Sequence, residues 1–299
     1  MTRILSTQSP FNNIPGRIIM KNLPQLFSWK DYKWGAWALI CLYISLVSGV
    51  IIGLQYDYAT PFYSTTSIDL LVPYGEYFRS LHFFSSQFFF LLCCIHMIAV
   101  YSKTERYDTL TWIQLATNLP IIILLLFTGY VLRGDSTGAA AGMIAENIIQ
   151  TIPLAGSFFN ELFFSISSTG LRKIYLHHVI GLDLLLLITA LSHIRLYRVK
   201  LNDYQLVLAG VLLFSMFIPA PLEPDHPGTS YISGPWFFLG LQELLRYIHP
   251  FIAGVITPLL FIIILFFSLP GYRHSRRWLF LGGGWLFLYC ILTIFAWIR

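Results

Sequence analysis

His82 and His96 lie 14 residues apart in one apolar run, and His178 and His193 lie 15 apart in another. At about 100° and about 1.5 Å per residue, each interval spans about four helical turns. The second ring returns to within about 40–60° of the first, about 21–23 Å along the axis. An interhelical hydrogen bond explains any single intramembrane histidine, but not the same interval on two runs. A polar ring in lipid is costly and usually functional. Packed side by side, two such helices offer facing imidazole pairs at two levels of a hydrocarbon layer about 30 Å thick. Two haem irons can be stacked in this way, each held by one imidazole from each helix.

Composition agrees with a membrane setting. Of 299 residues, 56% are hydrophobic and only 11% charged, against about 25% charged in soluble domains. The expected fold is an all-α integral membrane protein with seven spans near 34–55, 80–101, 112–132, 178–198, 204–220, 251–269 and 278–298. Three parts follow: an N-terminal interfacial segment 1–33, a four-helix dihaem part 34–200, and a three-helix part 201–299. Residues 14–27 suit a position flat on the membrane surface. Two stretches, 133–177 and 221–250, exceed ordinary connections and suit a functional surface.

Lys and Arg counts set the expected orientation. With the N-terminus inside, thirteen fall on inner segments and six (Arg79, Arg133, Arg172, Lys173, Arg246, Arg299) on outer ones, as the positive-inside rule requires. The basic residues sit between spans and do not form a nucleic-acid face. Cys41, Cys93, Cys94 and Cys290 make no CxxCH and no zinc or iron–sulfur spacing, so they read as small core residues. The lack of a targeting segment and the modest length point to a bacterial cytoplasmic membrane.

Spans two and four run in the same direction, so His82 pairs with His178 outside and His96 with His193 inside. His177 is the weaker candidate, because 16 residues to His193 turn it about 160° away. Gly35 and Gly49 are also 14 apart and leave two gaps through which a flat macrocycle can approach the backbone; Gly129 can do the same for the outer level. Ordinary small-residue helix packing is the competing explanation. Arg79, three residues before His82, can pair with a haem propionate or snorkel to the interface.

From about Asp31 to Leu269 the chain resembles the cytochrome b subunit of the Rieske/cytochrome b family, the quinol:cytochrome c or plastocyanin reductases. The resemblance rests on Gly35…Gly49, Arg79-Ser-Leu-His82…His96, Thr111-Trp112, Gly129-Tyr130-Val131-Leu132, Asn147…Ile152-Pro153 and His178…His193. The 15-residue interval is similar to the chloroplast and Gram-positive branch, whereas mitochondrial forms use 14; here both halves share one unsplit chain. The resemblance implies two non-covalent b-type haems, a low-potential outer one and a high-potential inner one. It also implies a quinone such as menaquinone or ubiquinone, Trp112 beside the inner haem, and Arg198 at the inner quinone site. Trp236 falls in the outer quinol loop. Redox partners such as a Rieske iron–sulfur protein or a c-type cytochrome, and a dimeric complex, follow from the same likeness.

Departures bear on mechanism. The family's Pro-Glu-Trp-Tyr is here Gly234-Pro235-Trp236-Phe237, so Pro235 replaces the carboxylate thought to accept a quinol proton. Arg133-Gly134-Asp135 stands in place of Pro-Trp-Gly, Leu115 occupies an expected small position, and Lys33 sits where the chloroplast branch carries its haem-linking cysteine. The remaining outer-segment acids, Asp135, Glu146 and Glu243, become the candidate proton acceptors. Glu243 lies seven residues after Trp236, about two turns on. The expected function is a quinol oxidoreductase subunit, the dihaem membrane core of a respiratory complex coupled to proton movement. A non-bifurcating dihaem conduit to a periplasmic redox partner is one alternative. A haem-free, proton-coupled transporter with a histidine relay is the other, although no inverted repeat supports it.

Overall fold

Long apolar runs fold as helices in lipid because no water is present to satisfy an open backbone. The computed structural model describes Trp29 and residues 32–196, 199–224 and 232–299. Arg198, the interfacial segment 14–27 and part of the 221–250 loop lie outside the described residues. Among the described residues all regular structure is helical.

The helices are α1 (Trp34–Gly53), α2 (Pro61–Leu71), α3 (Gly75–Val100), α4 (Thr109–Ala116), α5 (Asn118–Leu132), α6 (Ser136–Gln150) and α7 (Gly156–Phe163). They continue as α8 (Ile166–Thr169), α9 (Arg172–Leu176), α10 (Asp183–Leu196), α11 (Gln205–Phe217), α12 (Leu239–Leu244), α13 (Thr257–Phe267) and α14 (Ser275–Ile298). Among the described residues, five segments are long and apolar enough to cross a membrane: Trp34–Gly53, Gly75–Glu105, Thr109–Leu132, Arg172–Leu196 and Ser275–Ile298. The other two expected spans are the shorter apolar helices Leu201–Phe217 and Ile252–Phe267. α11 stops early because Ile218 precedes Pro219 and is pushed to an extended conformation (φ −122°, ψ 108°).

α1, α3, α5 and α10 share a core of Ala38, Ile40, Cys41, Leu81, Phe89, Ile121, Ile122 and Leu186, and α11 adds Val211 to it. α13 packs on α14 and α4, and α12 on α14. α14 turns large side chains outward, Phe280 being 83% exposed and Trp297 80%, which suits a helix whose solvent is lipid.

The extramembrane helices gather at the end of the bundle that carries His82 and His178. α2 has no hydrophobic stripe to betray it in the sequence, because its buried residues are Ser64, Thr65 and Ile68. The turn into α6 carries the Arg133-Gly134-Asp135 departure. Gly134 adopts φ +67°, and a Cβ there would meet Pro61 Cβ at 2.5 Å, so both conformation and space demand glycine. Asp135 is 1% exposed and caps α6 through the Gly138 N–H at 2.9 Å. It also accepts from Arg133, whose Nε lies 3.0 Å away, and from the Glu223 N–H at 2.9 Å. Arg133 stacks over Tyr130, 4.4 Å from the ring centre.

Asp135→Ala removes a cap and strands a buried guanidinium, so it is expected to destabilise the protein by about 3–5 kcal/mol. Asp108 is an exposed cap that accepts only from Thr111, and Asp108→Ala should cost about 1 kcal/mol. Chemical unfolding in detergent micelles compares them; equal losses would show that Asp135 acts as a cap alone.

Candidate functional site

The four histidines meet in pairs at two levels. The His82 and His178 rings have centroids 6.1 Å apart, and so do His96 and His193. An iron with axial imidazoles bonded at about 2.0 Å on each side separates ring centres by about 6.2 Å. Among the described residues, no group of three or more His, Cys, Asp or Glu could hold a metal ion. A metal between these pairs therefore needs its other ligands from a bound group, and the four nitrogens of a macrocycle meet that need.

The two intervals differ by one residue, yet the two separations agree. The reason is local: His177–Leu182 forms a π-helical turn leading into α10. An i→i+5 turn takes up one residue more than an α-helical one, so 15 residues on this span act as about 14 on α3. The same turn directs His177 away, with its Nε2 3.2 Å from the Leu162 carbonyl and its ring against Phe163.

Second contacts orient the rings at the first level. His82 Nδ1 lies 2.9 Å from the Ser45 carbonyl oxygen, which can only accept. His178 Nδ1 lies 2.9 Å from Thr128 Oγ1, whose own hydrogen is directed to the Leu124 and Leu125 carbonyls. Both rings therefore carry the proton on Nδ1 and keep Nε2 as the lone-pair nitrogen, the pattern that metal-binding histidines use. Neighbouring helices leave exact room. A Cβ on Gly49 would come within 2.8 Å of His82 Cε1, one on Gly35 within 2.8 Å of His96 Cε1, and one on Gly129 within 3.0 Å of His178 Cε1. The missing side chains thus make way for the imidazoles themselves, a more immediate reason than approach of a macrocycle. Among the described residues no glycine stands equally close to the fourth ring, His193.

A cavity of about 550 Å³ opens beside His82 and His178, lined by Gly49, Gly129, Arg79, Arg133, Asp183, Glu223 and Trp236 among others. Arg79 is committed to Asp69 of α2 in a two-pronged ion pair, each distance 2.6 Å. It also donates to the Ala220 carbonyl at 2.9 Å, tying the segment after α11 to the cavity wall. Trp236 borders the cavity and donates to Gln87 Oε1 at 2.9 Å. Trp112 is buried, and its indole N–H is shared between the Leu265 and Phe266 carbonyls at 3.2 and 3.1 Å, joining the third span to α13.

None of the three expected proton acceptors lines this cavity. Asp135 is consumed by Arg133 and the α6 cap. Glu146 is buried and accepts from Asn160 Nδ2 at 3.0 Å, Ser167 N at 3.0 Å and Ser167 Oγ at 2.8 Å. Glu243, also buried, bonds to Tyr247 at 2.8 Å and Arg299 at 3.2 Å. The carboxylates that do line the cavity are Asp183 and Glu223. Asp183 was legible as a lone acid inside an apolar span, a standing signal of function. Glu223 and Asp69 carry no such mark, because their positions come from chain segments meeting only in space.

Burial pushes the Glu146 carboxyl up, but the hydrogen bonds from Asn160 and Ser167 outweigh it and hold the group below its ordinary value of 4.5. With a depressed folded value, its contribution to stability is complete above pH 4.5 and fades as pH falls through that folded value. Glu146→Gln should therefore destabilise the protein near pH 7, and the difference from wild type should shrink below pH 4.5. Paired thermal melts across that range check this; a constant difference contradicts it. For the π turn, removing Ile180 should leave the His178–His193 register intact, whereas removing Leu187 from α10 turns His193 by about 100°. Thermal stability should separate the two deletions by several degrees.

The chain is similar to known proteins along most of its length. The cytochrome b/b6/petB family model matches residues 20–200. A cytochrome b6 from Heliomicrobium gestii is 26% identical over 174 residues, 56% of this chain and 81% of that protein. Cytochrome b from Dictyostelium discoideum is 24% identical over 280 residues, covering 79% of this chain and 72% of the relative. A chain of a hyperthermophilic respiratory Complex III superposes with TM-score 0.66 at 22% identity, over 91% of this chain and 85% of its own. At that identity the superposition speaks for the fold. The family match covers more than half of the chain and, with the helical fold, leads to one conclusion: the chain belongs to the cytochrome b/b6 family and is a membrane electron-transfer protein.

Proposed function

We propose that this protein is the dihaem core of a respiratory quinol oxidoreductase in a bacterial cytoplasmic membrane, with its N-terminus inside. The observation that carries the reading is the pair of imidazole couples, each 6.1 Å between ring centres, with glycines withdrawn behind three of the four rings. His82 and His178 hold the outer haem through Nε2, and Nδ1–H bonds to Ser45 and Thr128 fix the ring planes. His96 and His193 hold the inner one. Haem, when bound, supplies the one-electron chemistry; the protein supplies position, exclusion of water and charge. Passing an electron inward against the field costs up to about 2.3 kcal/mol per 100 mV, so the arrangement can store energy.

At the outer end, Arg79 borders the cavity and, although paired with Asp69, keeps one Nη1 hydrogen for an acidic group of a bound haem. Trp236 forms part of the same wall and is placed to border a quinol. Arg198, five residues after His193, is assigned to the inner quinone. Glu223, exposed and lining the cavity, is better placed to take a proton from the outer side than Asp135, Glu146 or Glu243. A Rieske-type protein or a c-type cytochrome is the expected electron acceptor, in a dimeric complex.

One observation favours a second reading, a dihaem conduit without bifurcation. Pro235 replaces the expected carboxylate, and the three other acids named for that task are bound elsewhere. An inhibitor of the outer quinol site separates the readings: it blocks haem reduction by quinol only where that site operates.

His82→Ala and His178→Ala should each remove one haem, about half of the b-type absorbance in a reduced-minus-oxidised spectrum. His96→Ala and His193→Ala should remove the other. Gly49→Val, which drives a methyl into the His82 ring, should imitate His82→Ala. Loss of both haems from every single substitution, or a colourless wild type, would sink the assignment.

A further inference from the structure

The charged groups around the outer cavity do not balance. Arg79 is already matched by Asp69 and Arg133 by Asp135. Two carboxylates are left, Glu223 and Asp183. Glu223 sits at the exposed rim, where water and salt screen it. Asp183 lies within the fourth span, about one turn beyond His178, on the same cavity wall as Val179 and Leu186. Among the described residues no hydrogen bond or ion pair is made to its carboxylate. A partnerless acid in an apolar span is costly unless it serves a purpose.

We infer that Asp183 is a positioning residue for charge: its carboxylate, sharing the cavity with the His82 and His178 imidazoles, lowers the electron affinity of the haem they hold. This rests on the haem assignment above. A negative charge favours the ferric state, which carries one positive charge more than the ferrous. The His96/His193 level lies about 15 Å from Asp183 along the helix, ten residues on, against five residues to His178, and feels the charge less. Along the helix, Asp183 lies on the order of 7–8 Å from the first level, five residues beyond His178. Across an effective dielectric of about 20, a full charge at that range changes an equilibrium by more than about tenfold, which is about 59 mV for one electron. The cavity thereby separates two chemically identical haems in potential by placing an acid nearer to one of them.

Redox titration of the purified wild-type protein, Asp183→Asn and Asp183→Glu at pH 8 tests this, following the b-type absorbance. His82→Ala identifies which component belongs to the outer level. Asp183→Asn should raise the midpoint of that component by about 59 mV or more and move the other by clearly less, while Asp183→Glu should stay near wild type. No movement, or equal movement of both components, overturns the inference. If Asp183→Asn fails to bind the outer haem, Asp183→Ser takes its place in the same titration; loss of that haem from both neutral variants makes Asp183 a folding residue and overturns the inference as well. A wild type without haem absorbance defeats the haem assignment instead, which keeps the two failures apart.

Discussion

An imidazole cannot rest in a lipid-filled interior without partners, and most of this fold is arranged around providing them. The first-level rings each spend Nδ1 on a neighbouring helix, Ser45 on α1 and Thr128 on α5. Those bonds leave Nε2 as the lone-pair nitrogen and define which helices must surround the pair. Gly35, Gly49 and Gly129 then follow from close packing, since any side chain there would enter the ring it faces. Register along the fourth span is held to the same requirement, and the π turn at His177–Leu182 is how a chain with one extra residue meets it.

The extramembrane end obeys a different physics. There the backbone leaves the regular helix, so its polar groups must be satisfied one by one. Buried ion pairs do much of this work: Arg79–Asp69 reaches the carbonyl of Ala220, and Arg133–Asp135 reaches the N–H of Glu223. Both pairs clamp the Pro-rich segment after α11. Because buried pairs gain little net stability but are expensive to break, their main effect is to hold that segment in one place beside the cavity. Glu146 organises 160–167 in the same fashion.

Legibility in the sequence divided along these lines. His82, His96, His178 and His193 could be read because helical periodicity is a local property and lipid makes each polar ring conspicuous. The glycines were visible for the same reason, although the steric partner turned out to be the imidazole. Asp135, Glu146 and Glu243 were chosen as outer-segment acids, and each is bound where it stands; an acid's availability depends on what the fold places within 3 Å of it. α2 escaped notice because two of its three buried residues, Ser64 and Thr65, are hydroxylic, and Asp69 with it.

Composition and spacing alone determined that the chain spans a membrane by helices and carries its histidines as two pairs at two depths, because both facts depend on neighbours close in sequence. Which nitrogen of each ring is free, which arginine is already neutralised, and which acid is left facing the cavity were decided by tertiary structure. Those properties arise from contacts such as Arg79 with Ala220, 141 residues apart in sequence, and no local pattern records a meeting of that range.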